Sequence, residues 1–221
     1  MKATDIQSSI SEYRLNQDGR GKVFEAHRCW FAVAAHFRFP LVVGTCILSI
    51  ILCATLPQEP IPVPGRLDVY AVITNTIPVL SALAIVSSVA NTGVQEAVSA
   101  RGRLGVTTLA LSVHGSLIVL TSTAAWAIGV PTFGRNSLFL VSVGIGLSIW
   151  VGARAAGLVM VAIVTVNWLL GIDTFNEAKW WAWLMSPPER LSAWMGALVT
   201  ALIATAAVLV GPRHYNSFRD D

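Results

Sequence analysis

Only one acid–base side chain of this chain, His114, lies deep in an uncharged stretch, and Gly115 and Ser116 follow it. Asn75, Thr76 and Asn167 sit in comparable stretches. Asn75, His114 and Asn167 are therefore the candidates to line a polar pathway or pocket at depth. The other reading is that His114 bonds across helices and specifies packing, as polar groups in apolar bundles do for about 0.6 kcal/mol each. No Gly-x-x-x-x-Gly-Lys-[Ser/Thr] loop is present to cradle and hydrolyse ATP, no His-Glu-x-x-His to hold zinc, and no Gly-x-Ser-x-Gly elbow. Cys29, Cys46 and Cys53 have no partner at metal-ligand spacing; Cys46 and Cys53 share one helical face and serve as small hydrophobes. An enzyme, a resident cofactor and a metal site are not expected from these residues.

The elements that must position these groups follow from where charge is missing. The chain has 221 residues, 54% apolar and 12% charged, against about 25% charged in a soluble domain. Fifteen Lys and Arg and twelve Asp and Glu cannot wet a globule of 23.6 kDa. A formal net charge of +3 also argues against a nucleic-acid partner. Charged residues bound six uncharged windows of 20, 27, 31, 18, 18 and 22 residues, at 39–58, 69–95, 104–134, 136–153, 155–172 and 191–212. A helix crosses the ~30 Å hydrocarbon core of a bilayer with about 20 apolar residues, range ~17–25. The expected fold is thus an all-α integral membrane protein with spans near 39–57, 69–91, 105–128, 136–153, 155–172 and 191–211. Spans four and five meet at GARAAG, so Arg154 is expected at a tight turn, because a lone Arg buried in lipid is expensive. Pro78 is expected to kink the second span in its middle.

Orientation follows from the basic residues. With both termini in the cytoplasm, 11 of 15 Lys and Arg lie inside, and Arg66, Arg135, Lys179 and Arg190 lie outside. No apolar run precedes residue 39, so the first span is expected to be the retained insertion signal. Residues 1–21 read as a polar cytoplasmic tail, 22–38 as an amphipathic helix in the interface, 39–211 as the six-span domain and 212–221 as a second cytoplasmic tail. The stretch 173–190 is too apolar for an aqueous loop and too short to span. With Trp180, Trp181 and Trp183 it is expected to lie at the outer interface, as an aromatic anchor or a re-entrant external gate. No carboxylate falls inside a span; Asp68, Glu96 and Asp173 mark span ends. That argues against proton coupling through a buried acid.

The order of parts, with the runs FEAHRCWFAVAAHFRFP, IPVLSALAIVSSVANTGVQEAVSARGR, WWAWLMSPPER and VGPRHYNSFRDD, resembles the half-size permeases of type-2 ATP-binding-cassette exporters. The resemblance covers nearly the whole chain and rests on architecture and local texture. It implies a multi-pass subunit of the inner (cytoplasmic) membrane in which two half-permeases, as a homodimer or heterodimer, form an export pathway for an amphipathic or hydrophobic substrate. ATP would be held by separate ATPase subunits docked from the cytoplasm. By the same resemblance 22–38 would be the elbow helix, 94–103 the coupling helix with Glu96, Arg101 and Arg103, and Trp180, Trp181 and Trp183 the external gate. The alternatives are a non-transporting membrane scaffold or immunity protein, and a six-span substrate-capture subunit of an uptake system.

Overall fold

A computed structural model describes residues 38–90 and 102–210. Chain contacts divide the protein at Pro40 into Met1–Pro40 and Leu41–Asp221. Only Arg38–Pro40 of the first unit is described, so the expected tails and the body of the 22–38 helix lie outside the described residues.

The described chain is mostly helical. Helix α1 is Phe39–Thr55, and Pro40 sits in its first turn, where a missing N–H removes no helical bond. Val42, Cys46, Ser49 and Cys53 form its buried stripe, at the three- and four-residue spacing that puts side chains on one helical face. The chain then makes a short hairpin in which β1 (Ile61–Pro62) pairs antiparallel with β2 (Tyr70–Ala71), Ile61 opposite Ala71. Between the strands Gly65 and Asp68 turn the chain at φ +77 and +59. A 3-10 turn, Ile73–Thr76, leads into α2, Pro78–Ala90.

This corrects the expected second span in two ways. Residues 69–72 are extended rather than helical, and Pro78 opens α2 instead of kinking it. The physical reason is local. Proline has no N–H to give the Thr74 carbonyl, which takes the Ile77 N–H at 3.3 Å instead. That is the three-residue bond of a 3-10 turn, so the α-helical ladder can start only at Pro78.

Helix α3 is Gly102–Ala127 and α4 is Thr132–Leu170. Helix α4 is broken at Gly152, with φ 82 and ψ 161, a conformation open essentially to glycine alone. Its halves fold back on each other. A Cβ on Gly144 would stand 2.5 Å from Met160 Sδ across the break and 2.5 Å from Val86 Cγ2 of α2. Arg154, two residues past the break, is exposed, as the tight turn requires. Two glycines let helices approach closely within the chain: Gly144 receives Met160 and Val86, and Gly157 receives Leu83 of α2.

Residues 171–190 form a turn-rich segment with a 3-10 turn at Trp183–Met185. It precedes α5, Leu191–Val210. Each of the six uncharged windows therefore carries helix. Among the described residues, α4 and α5 are the helices long and apolar enough to cross a membrane. The main core joins Ile85 and Val86 of α2, Leu140 and Met160 of the two α4 halves, Leu184 of the 171–190 segment and Val208 of α5.

Candidate functional site

The polar chemistry concentrates at one end of the bundle, where the β-hairpin, the 3-10 turn at 73–76, the 128–132 turn and the 171–190 segment meet in a cap. Three arginines hold it, each by main-chain carbonyls. Arg66 Nη1 donates to Leu169 O at 3.1 Å and Ile172 O at 2.6 Å, capping the C-terminus of α4. A cation there also meets the negative end of the helix dipole. Arg190 Nη1 donates to Ala178 O at 2.6 Å. Arg135 is 1% exposed; its Nη2 donates to Ser186 O at 2.7 Å, its Nη1 to Pro187 O at 3.0 Å and its Nε to Asn136 Oδ1 at 3.2 Å.

Arg135 stands in the first turn of α4, where the dipole opposes a cation, and among the described residues its acceptors include no carboxylate. Carbonyl dipoles and the Asn136 amide therefore do the work of a counter-ion. Asn136 extends the junction, donating through Nδ2 to Asn75 O at 3.1 Å and Leu184 O at 3.0 Å. Thr132 Oγ1 donates to Asn75 Oδ1 at 2.6 Å. One turn of α4 thus ties the 3-10 turn at 73–76 to the 184–187 stretch.

The candidate pathway residues fall in different surroundings. Asn75 belongs to the cap junction. His114 of α3 is buried, with Nε2 3.2 Å from Ser88 Oγ of α2. Asn167 is buried and gives its Nδ2 to Ile163 O of its own helix at 2.9 Å. Its Oδ1 has no partner among the described residues, nor has Trp168 Nε1 beside it. The His114–Ser88 geometry is that of an interhelical bond. An His114→Ala variant should accordingly lose only about 0.6 kcal/mol of stability, read by thermal unfolding in detergent. Unchanged stability in that variant would instead remove the packing role.

The three tryptophans do not act as one group. Trp180 is 77% exposed, and Trp181 is half-buried with the Lys179 ammonium 5.8 Å from its ring centre. Trp183 is wedged between helices: it meets Phe139 of α4 edge-on, with centroids 5.6 Å apart and planes at 79°. It also lies on Gly196 of α5, where a Cβ would stand 2.5 Å from the ring. Glu96 and Arg101 lie outside the described residues, and of Arg103 only the backbone, in the first turn of α3, is described.

Thr132, Arg135 and Asn136 were not singled out by sequence as site residues. The available signal was weak: an Arg-Asn pair one turn after Pro131 at a window edge. Above their junction the cap encloses an open cavity of about 1080 Å³, with Asn75 and Thr132 at its floor and Tyr70, Glu177, Pro188 and Arg190 around it. No protein-family model, curated protein or solved structure matches the chain, so its function has to be read from these residues and this geometry.

Proposed function

We propose that this chain is the membrane-spanning permease subunit of an ATP-binding-cassette exporter. It crosses the inner (cytoplasmic) membrane six times with both termini inside, and two such half-permeases frame a pathway for an amphipathic or hydrophobic substrate. Separate ATPase subunits supply the energy. One observation carries the reading: no described helix contains an Asp or a Glu. Ion-coupled carriers place such acids inside their bundles as proton or cation relays, so their absence from the described helices supports an energy source on another chain. The lengths agree. The halves of α4, 132–151 and 153–170, are each about 27–30 Å long at 1.5 Å per residue, close to the hydrocarbon thickness. The cap then lies outside the cell, and the opposite ends of α2 and α3 face the ATPase.

Mild solubilisation and identification of co-purifying chains tests this reading. An ATPase subunit is expected. Its absence, together with no substrate-stimulated hydrolysis in proteoliposomes, would leave a membrane scaffold or immunity protein. Glu96→Gln and Arg101→Ala should lower transport by about tenfold while ATP hydrolysis continues, as expected when a coupling free energy of 1–3 kcal/mol is lost. Normal transport by both variants would remove the coupling assignment of 94–103. The cap cavity favours a second reading, since it is formed within one chain: a substrate-capture subunit of an uptake system. A ligand retained by the isolated monomer through purification would select it.

A further inference from the structure

The cap cavity offers more hydrogen-bonding capacity than the protein uses. At its floor Asn75 is 8% exposed. Its Oδ1 accepts from Thr132 and its main-chain carbonyl from Asn136, but no described residue accepts from its Nδ2. At the rim Arg190 commits Nη1 to Ala178 O, and its remaining guanidinium nitrogens have no acceptor among the described residues. Glu177 is exposed on the same cavity, and among the described residues its carboxylate has neither a hydrogen bond nor an ion pair. A cation and an anion thus line one cavity without neutralising each other. Val72, Val130, Ile172 and Met185 make the walls apolar.

We propose that this cavity binds a short apolar peptide with free termini. The guanidinium of Arg190 suits a C-terminal carboxylate, whose two oxygens match its planar fork. Glu177 suits an N-terminal ammonium, and Asn75 Nδ2 supplies a donor for a peptide carbonyl between them. Arg190 is bonded to Ala178, the residue after Glu177, so both groups belong to one side of the cavity and a short ligand suits them; an extended di- or tripeptide spans ~7–11 Å. The volume, just above the ~300–1,000 Å³ usual for small-ligand sites, leaves room for apolar side chains. A purely anionic ligand would face Glu177 and a purely cationic one Arg190. A sugar would leave both charges unpaired. The proposal holds whether or not the chain transports.

The test is calorimetric titration of the full-length protein in detergent with trileucine, compared with N-acetyl-trileucine amide. The free peptide should bind about tenfold more tightly than the blocked one, the size of a charge-assisted hydrogen bond. Glu177→Gln should erase the ammonium's share of that difference and leave about threefold, the carboxylate's share on Arg190. Because the Glu177 side chain makes no bond within the described residues, this variant should keep the parent unfolding temperature. Asn75→Ala should weaken both peptides by about fivefold. Equal binding of the two peptides, no binding of either, or a Glu177→Gln protein that still prefers the free peptide tenfold would each overturn the proposal.

Discussion

Replacing Arg135 by alanine should lower the unfolding temperature of the purified protein by about 6–12 °C, the counterpart of about 3 kcal/mol at this chain length. The substitution leaves Ser186 O and Pro187 O without their donor and Asn136 Oδ1 without its neighbour. A buried carbonyl stripped of its partner costs about 1–3 kcal/mol. Two terms act the other way. The fold no longer buries a guanidinium, and the first turn of α4 no longer carries a cation against its dipole. These reduce the loss without cancelling it, because the orphaned Ser186 carbonyl stays buried. Arg135→Lys keeps the charge but not the fork that reaches two carbonyls at once, so it should recover less than half of the loss. The loss should also be local, and limited proteolysis should cut 173–190 in the alanine variant well before the helices. An Arg135→Ala protein that melts and resists protease like its parent would show that the cap is held by something else.

A second large effect is expected at Gly152. Gly152→Val places a β-branched residue at φ 82 and ψ 161, where only glycine is at ease and the strain is about 1–3 kcal/mol, with β-branching at the upper end. The chain could relieve that strain only by becoming helical through the break. It would then form one helix of 39 residues, about 58 Å long, twice the thickness of a bilayer core. The packing of Gly144 on Met160 and Val86 would go with it. Gly152→Val should therefore yield little monodisperse protein on size-exclusion chromatography in detergent. The fraction recovered should melt about 5–10 °C lower. Gly152→Ala should show the same defect to a smaller degree. Parent-like elution and melting of the valine variant would mean that the two halves do not depend on this residue to turn.

Much of the fold was written in the spacing of charge. The windows predicted α1, α3 and α5 nearly residue for residue: 39–57 against Phe39–Thr55, 105–128 against Gly102–Ala127, and 191–211 against Leu191–Val210. They also placed a turn between 152 and 157. A helix in an apolar medium must be uncharged along its length, so its ends announce themselves. The cap was not legible in the same way. Arg135 has the sequence signature of an outer-loop charge because its acceptors are main-chain carbonyls about fifty residues away, and a carbonyl has no letter in a sequence. Pro78 was ambiguous for a related reason. Proline can kink a helix or begin one, and the choice fell to a hairpin of two-residue strands and a 3-10 turn ahead of it. Of the candidate site residues, Asn75 was the informative one. It was singled out as a polar group in an apolar run, but its partners Thr132 and Asn136 could be found only in three dimensions.

The arginine contacts of the cap bear on how this protein can vary. Arg66, Arg135 and Arg190 all grip backbone atoms. A mutation in the gripped stretch changes a side chain but leaves the carbonyl where it was. Phe175 and Trp180, both largely exposed, can therefore drift in identity without loosening the grip. The outward face of the cap can thus change side chain by side chain, while loss of any one anchoring arginine removes a main-chain contact that no other side chain among the described residues supplies.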